Sequence, residues 1–232
     1  MIKKHIKILL FFLIACSYAS YSSNFANLKT TFLNQDCTID DSNIQSAVNL
    51  WISDPTNAEA TYGNISDWDT SCVTNMSELF KGLANFNDDI GNWDVSNVTN
   101  MSEMFYNAHA FNQNLQSWNV SSVTDMSNMF YNAHQFGEGQ DLNSWDVSNV
   151  TDMQNMFRAT MDSGSIGDLD NWDTSNVTNM SGMFAFAGNF NGNISTWNTA
   201  SVTDMSLMFG WAYVFNNQLN NWDTSNVTTL KE

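Results

Sequence analysis

Tryptophan recurs in this chain at Trp68, Trp93, Trp118, Trp145, Trp172, Trp197 and Trp222, in steps of 25, 25, 27, 27, 25 and 25 residues. A fixed period of that length constrains the fold more than any other feature. Each unit is one supersecondary element that can bury its apolar side only against its neighbours, so the units must stack. Aligned on the tryptophan, they read W-[DN]-[VT]-[SA]-x-V-T-[NDT]-[ML] and then [SQ]-x-[LM]-F, in six full units and a partial seventh.

Several columns of this alignment are core. Val73, Val98, Val123, Val150, Val177, Val202 and Val227 fill one without exception, and Phe80, Phe105, Phe130, Phe157, Phe184 and Phe209 fill another. The methionines Met101, Met126, Met153, Met180 and Met205 belong to the same interior, where thioethers act as gap-fillers. Met101, Met104, Phe105 and Ala108 fall at i, i+3, i+4 and i+7, the spacing of one helix face. The column ahead of them holds Asn75, Asn100, Asp125, Asp152, Asn179, Asp204 and Thr229, mostly residues that cap helix N-termini, and Glu78 and Glu103 stand where a capping box needs them. The stretch from Leu115 to Val120 reads as extended, and the threonine column from Thr74 through Thr99, Thr124, Thr151, Thr178 and Thr203 to Thr228 suits a short parallel strand. These patterns predict a repeat solenoid with one short parallel strand and one short helical turn in each coil of 25 to 27 residues. The longer units carry their extra residues in Gly137 to Gln140 and Asp162 to Gly167, both expected as surface loops.

Ahead of the repeats, Asp41-Ser42-Asn43 leads into the amphipathic run Ile44, Ala47, Val48 and Trp51, a helix that with Tyr62 and Ile65 would cap the first coil. The expected organisation is therefore a leader over 1–19, a tether over 20–40, a helical cap over 41–67 and the solenoid over 68–232. The seventh unit stops soon after its tryptophan, with Val227 and Leu230 in spine columns, and it reads either as a minimal lid or as a stub of a longer array.

Lys3, Lys4 and Lys7 followed by the apolar run from Ile8 to Ala15 form an export signal too short to span a bilayer. Its cleavage has two readings. Leu13-Ile14-Ala15-Cys16 has the order of a lipobox, which would make Cys16 a lipidated first residue, while Ser17-Tyr18-Ala19 suits ordinary cleavage before Ser20. With the leader gone, Lys29, Lys81, Arg158 and Lys231 face all 24 acids of the chain, a net charge near −20. Such a balance disfavours nucleic acid and anionic lipid as partners and leaves a lipid anchor as the one route to a membrane. Cys37 and Cys72 then remain, either as a possible disulfide in an oxidising compartment or as two buried thiols.

Trp93-Asp94-Val95-Ser96-Asn97-Val98-Thr99-Asn100-Met101-Ser102-Glu103-Met104-Phe105, followed by Phe111-Asn112-Gln113-Asn114-Leu115, resembles the repeat of the BspA-like leucine-rich-repeat surface proteins. The similarity runs from about Asp41 to the C-terminus and includes the cap segment from Ile44 to Trp51. It implies a leucine-rich-repeat-like solenoid on the cell surface, adhesive or ligand-binding behaviour and frequent lipid anchoring. It brings no catalytic residues and no cofactor. The fourth unit departs from the pattern at Ala159-Thr160-Met161.

The residue chemistry points the same way. The position after each tryptophan holds Asp69, Asp94, Asn119, Asp146, Asp173, Asn198 and Asp223. Asn cannot replace Asp as a general base, yet it replaces it well as the acceptor of a turn, so this column reads as turn chemistry. A ladder offering one carboxylate per coil lacks the convergent oxygens of a calcium site. His109 and His134 share a column but bring no third metal ligand. The aromatics outside the spine, Tyr106, Tyr131, Phe186, Trp211 and Tyr213, are the candidate binding surface, since exposed rings anchor protein or carbohydrate partners. The sequence therefore predicts a secreted or surface-anchored, non-catalytic adhesion module for an extracellular protein or glycan. A structural spacer of the envelope with no specific ligand is the alternative.

Overall fold

Each repeat folds as a succession of tight turns. In the second unit the Trp93 amide donates to the Ile90 carbonyl at 3.1 Å, Val98 to Val95 at 2.9 Å, Met104 to Met101 at 3.2 Å, Tyr106 to Glu103 at 3.0 Å and Ala108 to Phe105 at 3.0 Å. All of these bonds span three residues, the closure of a β-turn. The computed structural model describes residues 37–160 and 164–229. Thr38–Glu232 form one unit and Met1–Cys37 another, of which only Cys37 is described. The leader, the lipobox with Cys16 and most of the expected tether lie outside the described residues, as do Met161 to Ser163 and Leu230 to Glu232.

The leucine-rich-repeat-like solenoid expected from the sequence, with a short parallel strand and a helical turn in every coil, does not form. Among the described residues the repeats contain isolated parallel bridges in place of strands, and none of their residues is helical. The bridges join one residue per coil, from Asn75 to Asn100, Asp125, Asp152, Asn179, Asp204 and Thr229. Thr99 donates its amide back to the Thr74 carbonyl at 2.8 Å, and Met76 donates forward to Asn100 at 2.9 Å. The supposed extended stretch closes at once, because Trp118 donates to Leu115 at 3.1 Å and Val123 to Val120 at 2.9 Å.

The segment with helical spacing fails to be a helix for a different reason. Its alternate amides leave the coil. Glu103 donates to Ser127 of the next coil, Phe105 to Met129 and Asn107 to Tyr131, at 2.9, 2.8 and 2.8 Å. An α-helix needs those same groups for bonds four residues back. Every fourth residue also turns left-handed, as at Glu103 (φ 57°) and Asn107 (φ 58°). The apolar period of about four belongs to this turn ladder. Glu78 and Glu103 are thus left-handed turn residues and cap nothing, with φ of 60° and 57°. Asn100 and Asp125 do accept, but in turns two residues long, from Ser102 at 2.8 Å and Ser127 at 2.9 Å.

Between the turns runs the core. Phe80, Phe105 and Phe130 follow one another along the stack at 5.4 Å, tilted only 4° and 5° from parallel. A second phenylalanine from each coil packs on the first, Phe111 on Phe105 and Phe136 on Phe130 at 3.9 Å. The tryptophans are buried beside them, and each indole needs an acceptor there. Trp118 Nε1 donates to the Ile90 carbonyl at 3.1 Å and Trp145 Nε1 to Leu115 at 3.0 Å, so each coil is tied to the one before it. In the irregular fourth unit Thr160 replaces alanine, and its buried hydroxyl donates to the Phe157 carbonyl at 2.7 Å. The two insertions are not simply surface loops. Gln140 turns inward and gives its Nε2 to Gln113 O and Asn112 Oδ1 at 3.0 and 3.1 Å, and Ile166 is buried.

Among the described residues helices occur only before the first tryptophan. Helix α1 (Ile44–Ser53) buries Ile44, Ala47 and Val48. Helix α2 (Pro55–Tyr62) starts at a proline, where a missing amide costs nothing, and Asp54 caps it by accepting from Asn57. A 3-10 turn, Ile65–Asp67, leads into Trp68. Trp51 and Tyr62 close over the Trp68 ring at 6.1 and 5.8 Å. Asp41 finishes the threonine ladder with a side chain. Its carboxylate accepts the Thr74 amide at 2.7 Å, the Thr74 hydroxyl at 2.6 Å and the Asn75 amide at 3.0 Å. Burial pushes this carboxyl up, but the three donors outweigh it and hold it below the usual range.

Candidate binding surface

The two columns that follow the core phenylalanine lie on the outside of the stack, except at Ala185, which is buried. The first holds Lys81, Tyr106, Tyr131, Arg158, Ala185 and Gly210, and the second Gly82, Asn107, Asn132, Ala159, Phe186 and Trp211. The second column is left-handed throughout, from φ 53° at Ala159 to 74° at Gly82. Glycine and asparagine accept that conformation at little cost, whereas alanine pays the Cβ penalty and a bulky ring is a greater outlier. Phe186 (φ 59°) and Trp211 (φ 57°) nonetheless occupy it and remain 41% and 50% exposed. Neither ring is buried in the core.

Coil stacking turns these columns into a continuous row. Lys81 Nζ lies 5.5 Å from the Tyr106 ring centre, and Tyr106 stacks on Tyr131 at 4.6 Å and 11°. The Arg158 guanidinium follows, 5.8 Å from Tyr131 and 5.1 Å from Phe186. Phe186 then stacks on Trp211 at 4.6 Å and 8°. Each cation–ring contact adds attraction of its own. Lys81 is also ion-paired with Glu78 and Glu103, and both hydrogen bonds, that to Glu103 foremost, hold its ammonium above the usual value.

Four of the five aromatics singled out in the sequence thus fall into the row as two stacked pairs. Tyr213, 82% exposed, belongs to the column of His109 and His134, whose rings lie 4.9 Å apart. The sequence reading missed Lys81 and Arg158. Their signal was present, because the alignment puts both in the column of Tyr106 and Tyr131.

The remaining chemistry is structural in form. Every acceptor in the column after tryptophan whose bond is described takes the amide two residues on, for example Asp94 from Ser96 at 3.0 Å and Asn119 from Ser121 at 3.2 Å. Bonds from the Ser148 hydroxyl and amide hold the Asp146 carboxyl below the usual range. Among the described residues no three His, Cys, Asp or Glu side chains converge to hold a metal ion, and no helix is long and apolar enough to cross a membrane. Cys37 and Cys72 are each disulfide-bonded. A shallow groove of about 480 Å³ lies between Asp89, Asn92, Asn114 and Gln116, and no residue of the row lines it.

A family model described as Mycoplasma protein of unknown function, DUF285, matches residues 53–165 and again 161–232. No curated protein and no solved structure matches the chain.

Proposed function

We infer that the chain, which belongs to the DUF285 family, is a non-catalytic binding module that works outside the cell and holds its ligand on the row from Lys81 to Trp211. The observation that carries this reading is the pair Phe186 and Trp211, two large exposed rings kept in left-handed positions that smaller residues fill elsewhere. A ring held against its backbone preference and left in water is explained by a partner that covers it. The basic and apolar leader segment and the disulfide-bonded cysteines support an extracellular location. The resemblance of the repeat to BspA-like surface proteins supports adhesion. A lipid on Cys16 is the proposed anchor, to be tested by whether Cys16→Ser moves the protein out of the membrane fraction.

The test is a screen of the leaderless protein against extracellular matrix proteins and glycans, alongside the double variant Phe186→Asn, Trp211→Asn. Asparagine already occupies this column at Asn107 and Asn132, so the variant is expected to melt no lower than the parent. Saturable binding by the parent, weakened about tenfold or more in the variant, is the expected result. Equal binding by both proteins, or binding to nothing on the panel as a spacer would give, overturns the reading.

A further inference from the structure

Resting on that reading, we propose that the ligand is a carboxylate-bearing glycan and that Arg158 is the residue that reads its carboxylate. The Arg158 guanidinium has the Tyr131 ring on one side and the Phe186 ring on the other. The group carries at its edge the fork of N–H donors that matches a carboxylate, and its Nη1 lies over Gly182, 3.3 Å from where a Cβ at that glycine would stand. Among the described residues no carboxylate lies within ion-pairing distance of Arg158, whereas Lys81 has Glu78 and Glu103. An arginine fixed between two rings, with no described acid beside it on so acidic a chain, is a prepared anion site.

The surroundings select the kind of anion. With 24 acids in the chain, a polyanion such as a nucleic acid is repelled over most of the surface. A ligand with a single carboxylate at Arg158 and neutral groups elsewhere is not. From Arg158 the row continues 5.1 Å to Phe186 and 4.6 Å further to Trp211, both rings partly exposed. Exposed rings of this kind suit the apolar side of a sugar ring. Beside the row, Asn107 and Asn132 bring amide groups that suit hydroxyls, and Asn132 Nδ2 already donates to Asn107 Oδ1 at 2.9 Å. A peptide strand finds no open edge here, because the amides of Arg158, Ala159, Ala185 and Phe186 are all donated within or between coils.

The experiment uses the folded leaderless protein and neutral polymers carrying glucuronic or galacturonic acid, each compared with its methyl ester. The expected result is saturable binding to at least one acid polymer, about tenfold or more tighter than to its ester and weakened by salt. Arg158→Gln should abolish the preference for the acid in a protein that still melts cooperatively, with at most the small loss of two exposed cation–ring contacts, and Arg158→Lys should restore only part of the preference. Equal binding to acid and ester, an Arg158→Gln variant that keeps the preference, or a carboxylate preference seen only with peptides ending in a free acid would overturn the proposal. If Phe186→Asn, Trp211→Asn loses a ligand that Arg158→Gln retains, the glycan proposal fails while the binding module stands.

Discussion

Asp125 and Asp152 occupy neighbouring rungs of one ladder, and the second is half-buried. Burial pushes the Asp152 carboxyl above its usual range and the Asp125 charge adds to this, against the bond from the Gln154 amide. A carboxyl raised in the folded state destabilises the fold at neutral pH, and that penalty disappears as pH falls below both values. Asp152→Asn should therefore raise the melting temperature at pH 7 and leave it unchanged in acid, a contrast that thermal melts at two pH values would expose. Asparagine at Asn100 and Asn179 already makes the same turn bond. In the core, Phe130→Ala should cost about 3–5 kcal/mol, since the ring is stacked on both sides and its cavity cannot collapse. Asp146→Asn should cost far less, because Asn119 and Asn198 fill that position in other coils at 3.2 and 3.1 Å. Denaturant titrations giving equal losses would refute this division. At this scale the sequence was readable, because burial of Trp, Phe, Val and Met follows from repetition alone.

The elements were less readable, and the reason lies in a coincidence of periods. A turn ladder with a left-handed residue at every fourth position places Met101, Met104, Phe105 and Ala108 inside, as an amphipathic helix would. What separates the two is the column Gly82, Asn107 and Asn132, where residues tolerant of positive φ recur, and that pattern argues for turns. The first rung shows how a side chain can stand in for a missing coil. Asp41 takes the donors that a preceding threonine carbonyl would take. Its carboxyl is depressed, so its contribution is complete above the ordinary carboxylate range and is lost as pH falls through the lowered folded value. Asp41→Ala should accordingly lower the melting temperature at pH 7, with the difference shrinking in acid, opposite in sign to Asp152→Asn.

For the whole molecule, stacking makes stability a nearest-neighbour property. Phe130→Ala should speed hydrogen exchange at Phe105, Phe130 and Thr151 while leaving amides around Val202 close to their original rates; uniform loss of protection would show a single cooperative block instead. The aromatic half of the row from Lys81 to Trp211 was legible because rings stood out in the alignment. The cationic half was not, since Arg158 looked like a leftover charge until stacking brought it between Tyr131 and Phe186. The bonds between coils also have a direction. The amides of Glu78, Phe80, Gly82, Glu103, Phe105, Asn107, Asn128 and Phe130 all point toward the following coil, and they outnumber those pointing back, such as Thr99, Ala110, Thr124 and Gln135. Peptide dipoles aligned head to tail add up, as they do along an α-helix. The stack therefore carries a lengthwise dipole whose positive pole lies toward the sixth coil, where Trp211 stands, so that the end of the stack differs in polarity from its beginning within the last turn of the ladder.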